Sequence, residues 1–496
     1  MYELQIKDIT YKTILTQVNF DWIQGEKLAL MGANGSGKST LARILAGLIQ
    51  QESGEVVLDQ NGAIHSWHDY PHWKMIGFVG QHPRRQTIGA TVAEELGFGL
   101  LNQGMNAAEV KKMVKLLATQ IGLQEQLLQS PATLSGGERQ RLVIAAVLAL
   151  QPAFIILDES ISMLDLRARK RVFDLLDTHL GSDKESNRES GLGQLWITHD
   201  PEIALKADRL LVLQEGIIVE QGNPRDILAD DERCREYGIR GLKESSFPQN
   251  ISKDPILNAS RPKARAEVLR WQKAEYKSRV WIDQVVKRNE FIGIIGPSGA
   301  GKTTLLESGL GLVTPFKGRF QAFDDESVPI PSKQLRNKIR LLQQEAGEYL
   351  LGRTVYDEIF YTVGKGERAR SKEIHEQYLN QMSIPKIQWQ QDPLQMSGGE
   401  RQKVALAAAL TTNPGILLFD EPLIGLDRQG RANFKAFMNA SKNSYTILYV
   451  THDLEEILDM ATRLWLIENG RITFECEVGD HFLKERERFR SAGVKC

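Results

Sequence analysis

Cysteine is scarce, with three in 496 residues, at Cys234, Cys476 and Cys496. Spacing that wide builds neither a disulfide framework nor a zinc motif, and it suits a reducing cytosol. Charge of one sign is lacking too. Lysine plus arginine (62) and aspartate plus glutamate (63) leave a formal net charge of -1. That balance argues against a chain held on nucleic acid by bulk electrostatics, and no nucleic acid is expected as a partner. No long hydrophobic run occurs. The most apolar stretch, Leu142 to Leu157, is broken by Gln151 and Pro152, short of the roughly 20 apolar residues of a spanning helix. The opening MYELQIKDIT is polar and mixed and does not read as a secretory leader. Any membrane role must therefore pass through a partner. What is present is ordinary globular material, 42% hydrophobic and 25% charged, in a chain too long for one core.

The chain repeats itself. GANGSGKST (Gly32 to Thr40) returns as GPSGAGKTT (Gly296 to Thr304), and LSGGERQR (Leu134 to Arg141) as MSGGERQK (Met396 to Lys403). FIILDES (Phe154 to Ser160) returns as ILLFDEP (Ile416 to Pro422), and ITHD (Ile197 to Asp200) as VTHD (Val450 to Asp453). Four motifs in one order, twice, at a nearly constant offset, are an internal duplication. This gives a first domain over 1–240, a linker over 241–262 and a second domain over 263–496. The stretch Gly241 to Glu267 is rich in Ser, Asn, Pro and charge, as a linker is. A second polar run, Gly181 to Gly193, has no match in the other copy and reads as a solvated loop.

Each glycine-rich motif fits G-x-x-x-x-G-K-S/T. It follows an apolar strand-like run (Leu28 to Met31; Phe291 to Ile295) and opens a helix, with Leu41, Ile44, Leu45 and Leu48 at helical spacing. Gly32, Ala33, Asn34, Gly35, Ser36, Gly37, Lys38, Ser39 and Thr40 would wrap phosphates with backbone N–H groups at a helix start. Gly296, Pro297, Ser298, Gly299, Ala300, Gly301, Lys302, Thr303 and Thr304 would do the same. Lys38 and Lys302 suit the β- and γ-phosphates of ATP, and Ser39 and Thr303 suit Mg²⁺. Asp158-Glu159 and Asp420-Glu421 each close a strand-like run, where neighbouring side chains point apart. One acid can then serve the metal (Asp158, Asp420) and the other act as general base (Glu159, Glu421). His199 and His452, each after a threonine, can orient water or bond a γ-phosphate oxygen. Ser135-x-x-Glu138 and Ser397-x-x-Glu400 are capping boxes. Such a helix start, with Gly136 and Gly137 or Gly398 and Gly399, also offers bare N–H groups to an anion.

Phosphate loop, LSGGE, DE and THD in this order resemble the ATP-binding-cassette (ABC) family across nearly the whole chain. The resemblance implies an α/β fold: two P-loop NTPase (RecA-like) ABC domains, each with an inserted helical subdomain. In the first copy that insert would span about Thr91 to Gly137. Asn106-x-x-Glu109 with Val110, Met113, Leu116 and Leu117 fits a capped amphipathic helix there. The family pairs two domains head to tail within an ATP-hydrolysing unit. Lys38 would then share a site with Ser397, and Lys302 with Ser135. The family's glutamine loop, facing the metal, the γ-phosphate and the transport partner, falls on Gln81 and Gln344. Its D-loop falls on Ser162 to Asp165 and Ile424 to Asp427. Tyr11 and Trp271 are candidates to stack on adenine.

QHPRRQTIGATVAEELGFG (Gln81 to Gly99) and the SMLD after Glu159 look like the energy-coupling-factor importer ATPases. That resemblance implies two partners, a transmembrane scaffold protein and a substrate-binding membrane subunit, at the cytoplasmic face of the membrane. The cargo would be a vitamin, a vitamin precursor or a metal ion. Arg84 and Arg85 depart from the acidic or amide residues usual there, whereas the second copy keeps Glu345 and Glu348, which implies asymmetric docking. Ser160 replaces the proline common after the glutamate. Both sites retain every element that hydrolysis needs. Alternatives are a tandem ATPase acting on ribosomes, whose usual N-H-L-D is here SMLD and IGLD, and a fused sugar-importer ATPase, in which one site is typically degenerate.

Overall fold

A computed structural model describes residues 1–66, 72–162, 164–178, 191–242, 266–276, 280–324, 326–344, 346–361, 376–377, 379–380, 382, 384–396, 398–411, 414–424, 426–441, 444–478, 488–490, 492 and 494. They fall into two compact units, Met1–Ser246 and Phe247–Cys496.

In the first unit a sheet of six strands runs in the order Ile217–Gly222, Arg209–Gln214, Lys27–Met31, Gly193–Ile197, Phe154–Asp158, Ile76–Val79. All neighbours are parallel except the first pair. Strands Phe154–Asp158 and Gly193–Ile197 are buried at every residue, as strands covered on both faces must be. A separate antiparallel sheet (Leu15–Ile23, Tyr2–Tyr11, Ser53–Gln60, Ala63–Ser66) lies across the helix Lys38–Leu45. That helix packs Leu41, Ile44 and Leu45 between Leu4 and Ile6 of one sheet and Leu28 and Leu30 of the other. Leu48, which continues the helical spacing in sequence, lies beyond the helix end and is 62% exposed. The opposite face of the parallel sheet is covered by the helices Val92–Asn102, Ala107–Ile121, Gly136–Leu148 and Leu166–Thr178.

Helix Ala107–Ile121 starts where its cap dictates: Asn106 accepts the Glu109 N–H, and Gly122 ends the helix in the left-handed conformation (φ 70). Its buried face is Val110, Val114, Leu117, Ala118 and Ile121. Leu116 instead faces solvent, because a helix position one residue off the stripe turns about 100° away from it.

The second unit repeats the plan in one sheet of nine strands. Its parallel part orders Arg463–Glu468, Phe291–Ile295, Thr446–Thr451, Ile416–Asp420, Ile339–Leu342. The run 181–193 is only partly loop: Gly193 enters a central strand and Leu192 is buried, while 179–190 lie outside the described residues. Of the linker 241–262, Leu242 still bonds the Leu228 carbonyl, and 243–265 lie outside the described residues. Among the described residues no helix is long and apolar enough to cross a membrane.

Candidate nucleotide and hydrolysis sites

The turn between strand Lys27–Met31 and helix Lys38–Leu45 is possible because two glycines take positive φ, Gly35 at 79 and Gly37 at 102. A Cβ added at Gly35, which is exposed, would meet nothing within 4 Å. One at Gly32 would strike the Leu213 carbonyl oxygen at 2.1 Å. Lys38 Nζ curls over this loop and donates to the Gly32 and Ala33 carbonyls at 2.9 and 2.8 Å. The second unit copies it: Gly299 and Gly301 have φ of 77 and 98, and Lys302 Nζ donates to Gly296 and Pro297 at 2.8 and 2.9 Å. Ser36 Oγ is buried without a hydrogen-bond partner, a polar atom left over by the protein itself.

Strand Phe154–Asp158 delivers Asp158 to the helix start, where Ser39 hydrogen-bonds it. Thr303 donates to Asp420 Oδ2 at 2.7 Å in the second unit. Burial first, and the neighbouring glutamate second, push Asp158 and Asp420 up to about 6. Asp158 Oδ1 has no partner. A hydroxyl beside a carboxylate with a spare oxygen is a hard-oxygen pair of the kind magnesium takes. Among the described residues no group of three or more His, Cys, Asp and Glu side chains is placed to hold a metal ion by itself.

The next residue breaks the strand. Glu159 and Glu421 are non-glycine residues at φ 54 and 50, a strained conformation repeated at the same place in both units. This kink, and not the strand pleat expected from the sequence, separates the paired acids. The Glu159 amide is held by the Ile197 carbonyl at 3.0 Å and that of Glu421 by Val450 at 2.9 Å. His199 Nε2 lies 3.3 Å from Glu159 Oε1, and His452 Nδ1 lies 3.3 Å from Glu421 Oε2. Gln81 also hydrogen-bonds Glu159. Burial alone would raise Glu159, but His199, with Lys38 and Gln81 in support, outweighs it and holds the carboxyl well below its usual range. Glu159 is thus kept in the ionised form that a general base needs.

The structure therefore gathers Lys38, Ser39, Asp158, Glu159, His199 and Gln81 at one place. Ser135 forms its capping box: its N–H and hydroxyl reach Glu138 Oε2 at 2.9 and 2.7 Å, and Gly136 is exposed beside it. Ser397 lies outside the described residues, as do Met163, Gly425 and Glu345 and the side chain of Glu348. Gln344 is half-buried in the turn two residues beyond the strand Ile339–Leu342. Trp271 is not available to adenine. It is 1% exposed, packs on Phe320 and donates to Ser308 at 2.9 Å. Tyr11 remains partly exposed, with Lys12 Nζ 5.2 Å from its ring centroid.

Two supporting residues lie inside the QHPRRQ and LSGGERQR motifs, where spacing alone assigns them no role. Gln86 accepts the Gly80 N–H at 2.8 Å and so props the Gln81 turn. Arg139 donates to the carbonyls of Pro131, Ala132 and Leu134 at 2.8 to 2.9 Å and fixes the approach to Ser135. Both form local contacts that depend on backbone geometry.

The sequence profile described as ABC transporter matches residues 15–162 and again 282–424. The chain belongs to the ABC transporter family. It carries that family's ATPase domain twice, binds ATP, and hydrolyses it in a reaction coupled to transport. Relatives bear the provisional name ABC transporter ATP-binding protein. One from Caldanaerobacter subterraneus is 27% identical and covers 99% of this chain and 94% of its own length. Another, from Methanosarcina acetivorans, is 28% identical over 98% and 87%. A third, from Enterococcus faecalis, is 29% identical over 90% and 85%. Among solved structures, cbiO1 from Clostridium perfringens, described as part of the ABC transporter complex cbiONQ, is 28% identical with a TM-score of 0.39. It covers 47% of this chain and 93% of its own.

Proposed function

We propose that this ABC transporter subunit energises a membrane importer of the energy-coupling-factor kind, from the cytoplasmic face of the membrane. Its partners would be a transmembrane scaffold protein and a substrate-binding membrane subunit that selects a vitamin, a vitamin precursor or a metal ion. The observation that carries this reading is the Gln81 to Gly99 stretch. Gln81 meets the base candidate at one end, and the turn that follows presents Arg84, Arg85 and Ile88 to solvent.

Within each site the glycine loop and lysine hold the phosphates of ATP. Ser39 with Asp158, and Thr303 with Asp420, would hold Mg²⁺, which supplies neutralisation of phosphate charge. Glu159 and Glu421 take the proton of the attacking water, and His199 and His452 fix the carboxylates that do so. On the head-to-tail pairing that the family resemblance implies, Ser397, Gly398 and Gly399 would complete the Lys38 site, and Ser135, Gly136 and Gly137 the Lys302 site. A tether of roughly 22 residues reaches about 70 Å when extended, which favours pairing within one chain.

Purification of the tagged chain from its native membranes tests the importer reading. Co-purification of integral membrane proteins, one of which binds a small solute, is expected. Recovery with ribosomes and no membrane protein would overturn it.

A further inference from the structure

The loops around the two histidines are wired differently. In the first unit the Thr198 hydroxyl lies 3.1 Å from that of Ser162 and accepts the Asp200 N–H at 2.9 Å. Arg169, four residues beyond Asp165, donates to Asp200 Oδ2 at 3.0 Å. The segment ending at Asp165 is thus tied to the residues on both sides of His199. At the matching places the second unit has Ile424 for Ser162, Thr451 for Thr198, Arg431 for Arg169, Asp453 for Asp200 and Glu456 for Ile203.

Isoleucine offers no hydrogen bond, so the Thr451 hydroxyl turns elsewhere. It donates to Glu456 Oε2 at 2.8 Å while still accepting the Asp453 N–H at 3.0 Å. The other oxygen of Glu456 accepts from Arg431 Nη1 at 2.9 Å, and Arg431 Nε donates to the Leu426 carbonyl at 3.2 Å. A hydroxyl lost at 424 is matched by a carboxylate gained at 456. We propose that Glu456 is a positioning residue of the second site: it fastens the loop carrying His452 to the Leu426-Asp427 segment, through Thr451 on one side and Arg431 on the other. The chain of bonds ends next to His452 and next to Asp427, which is where a positioning device has to end. An ordinary buried ion pair would close on itself. Glu456 is 9% exposed, so its carboxylate is desolvated and Thr451 and Arg431 are held firmly, with the Tyr449 hydroxyl donating to Oε2 at a longer 3.5 Å. Burial and then Glu456 itself raise the Tyr449 hydroxyl well above its usual range, as expected beside a retained negative charge.

The proposal rests on His452 serving hydrolysis, and the test separates the two ideas. All variants are made in the full chain with Glu159→Gln, so that turnover reports the second site. Glu456→Ile installs the residue of the first unit. It should lower kcat about tenfold while KM for ATP stays within about twofold, because orientation is lost and phosphate binding is not. Adding Ile424→Ser should restore most of the loss: the serine can bond Thr451, and Arg431 can turn to Asp453 as Arg169 does to Asp200. Glu456→Gln keeps the side-chain volume and covers poor folding of the isoleucine variant; a fall in kcat of several-fold is expected. His452→Ala is the outer control. If it leaves turnover intact, the catalytic reading of that histidine fails. If it abolishes turnover but the Glu456 variants keep kcat, or Ile424→Ser rescues nothing, the positioning role alone is overturned.

Discussion

Lys38 Nζ meets the Gly32 and Ala33 carbonyls at 2.9 and 2.8 Å, and Lys302 Nζ meets those of Gly296 and Pro297 at 2.8 and 2.9 Å. The turn after each glutamine agrees as closely: Glu95 accepts the N–H groups of Ile88 and Gly89, and Glu358 accepts those of Leu351 and Gly352. Against this, Thr198 bonds across to Ser162, and Thr451 bonds to Glu456. The difference shows what phosphate chemistry fixes. A backbone cradle for ATP has one geometry, set by glycines at positive φ, and the two units share it. A tie between neighbouring loops needs only some complementary pair, so the duplicated halves hold different ones.

The largest effect addresses whether the shared chemistry is real. Glu159→Gln with Glu421→Gln should slow hydrolysis by ~10²–10⁴-fold while ATP binding persists. Steady-state phosphate release and nucleotide binding measure it; wild-type turnover by the double variant would remove the glutamates from the mechanism. Unequal losses in the two single variants would show that the units differ in rate as well as in wiring.

Pairing of the copies comes next. Lys38→Ala with Ser397→Ala strikes one composite site, so the losses should not add, whereas Lys38→Ala with Ser135→Ala strikes both sites and should abolish nearly all turnover. Equal outcomes for the two pairs would rule out head-to-tail sharing.

A smaller effect concerns Asp158 and Asp420. Their folded pKa of about 6 lies above the unfolded value of about 3.9. The native state therefore binds more protons between those values, and its stability falls as pH rises from about 4 to 6. Above that window the ionised, buried carboxylate is a full cost. Asp158→Asn should raise the stability of the nucleotide-free chain at pH 7 by about 1–3 kcal/mol, read from a denaturant midpoint, while turnover is lost. Asp420→Asn should match it, and a mismatch would place the difference between the units inside the metal site as well.

The smallest effect lies at the surface. Arg84 and Arg85 are exposed on the turn Pro83–Arg85. Glu345→Lys with Glu348→Lys should weaken the hold on a membrane scaffold, and Arg84→Asp with Arg85→Asp should be tolerated. Each exposed pair is worth about 0–1 kcal/mol. Assembly and transport in membranes are the readouts. Unchanged transport in the glutamate reversals would end the idea of asymmetric docking.

Contiguous residues spelled out the duplication, both glycine loops, the acid pairs and the capped start at Ser135. Each is a local pattern: spacing sets the helix face, glycine permits the turn, and a side-chain oxygen caps the N–H groups within reach. Tertiary structure alone decided the rest. It buried Trp271 under Phe320, since a β-strand residue faces core or solvent according to the sheet it joins. It turned Glu159 into the left-handed region, because the central strand ends against the Ile197 carbonyl. It also joined Arg431 to Glu456, 25 residues away. No periodicity records such a bond, because its partners meet only when the helix after Asp427 packs beside the turn after His452.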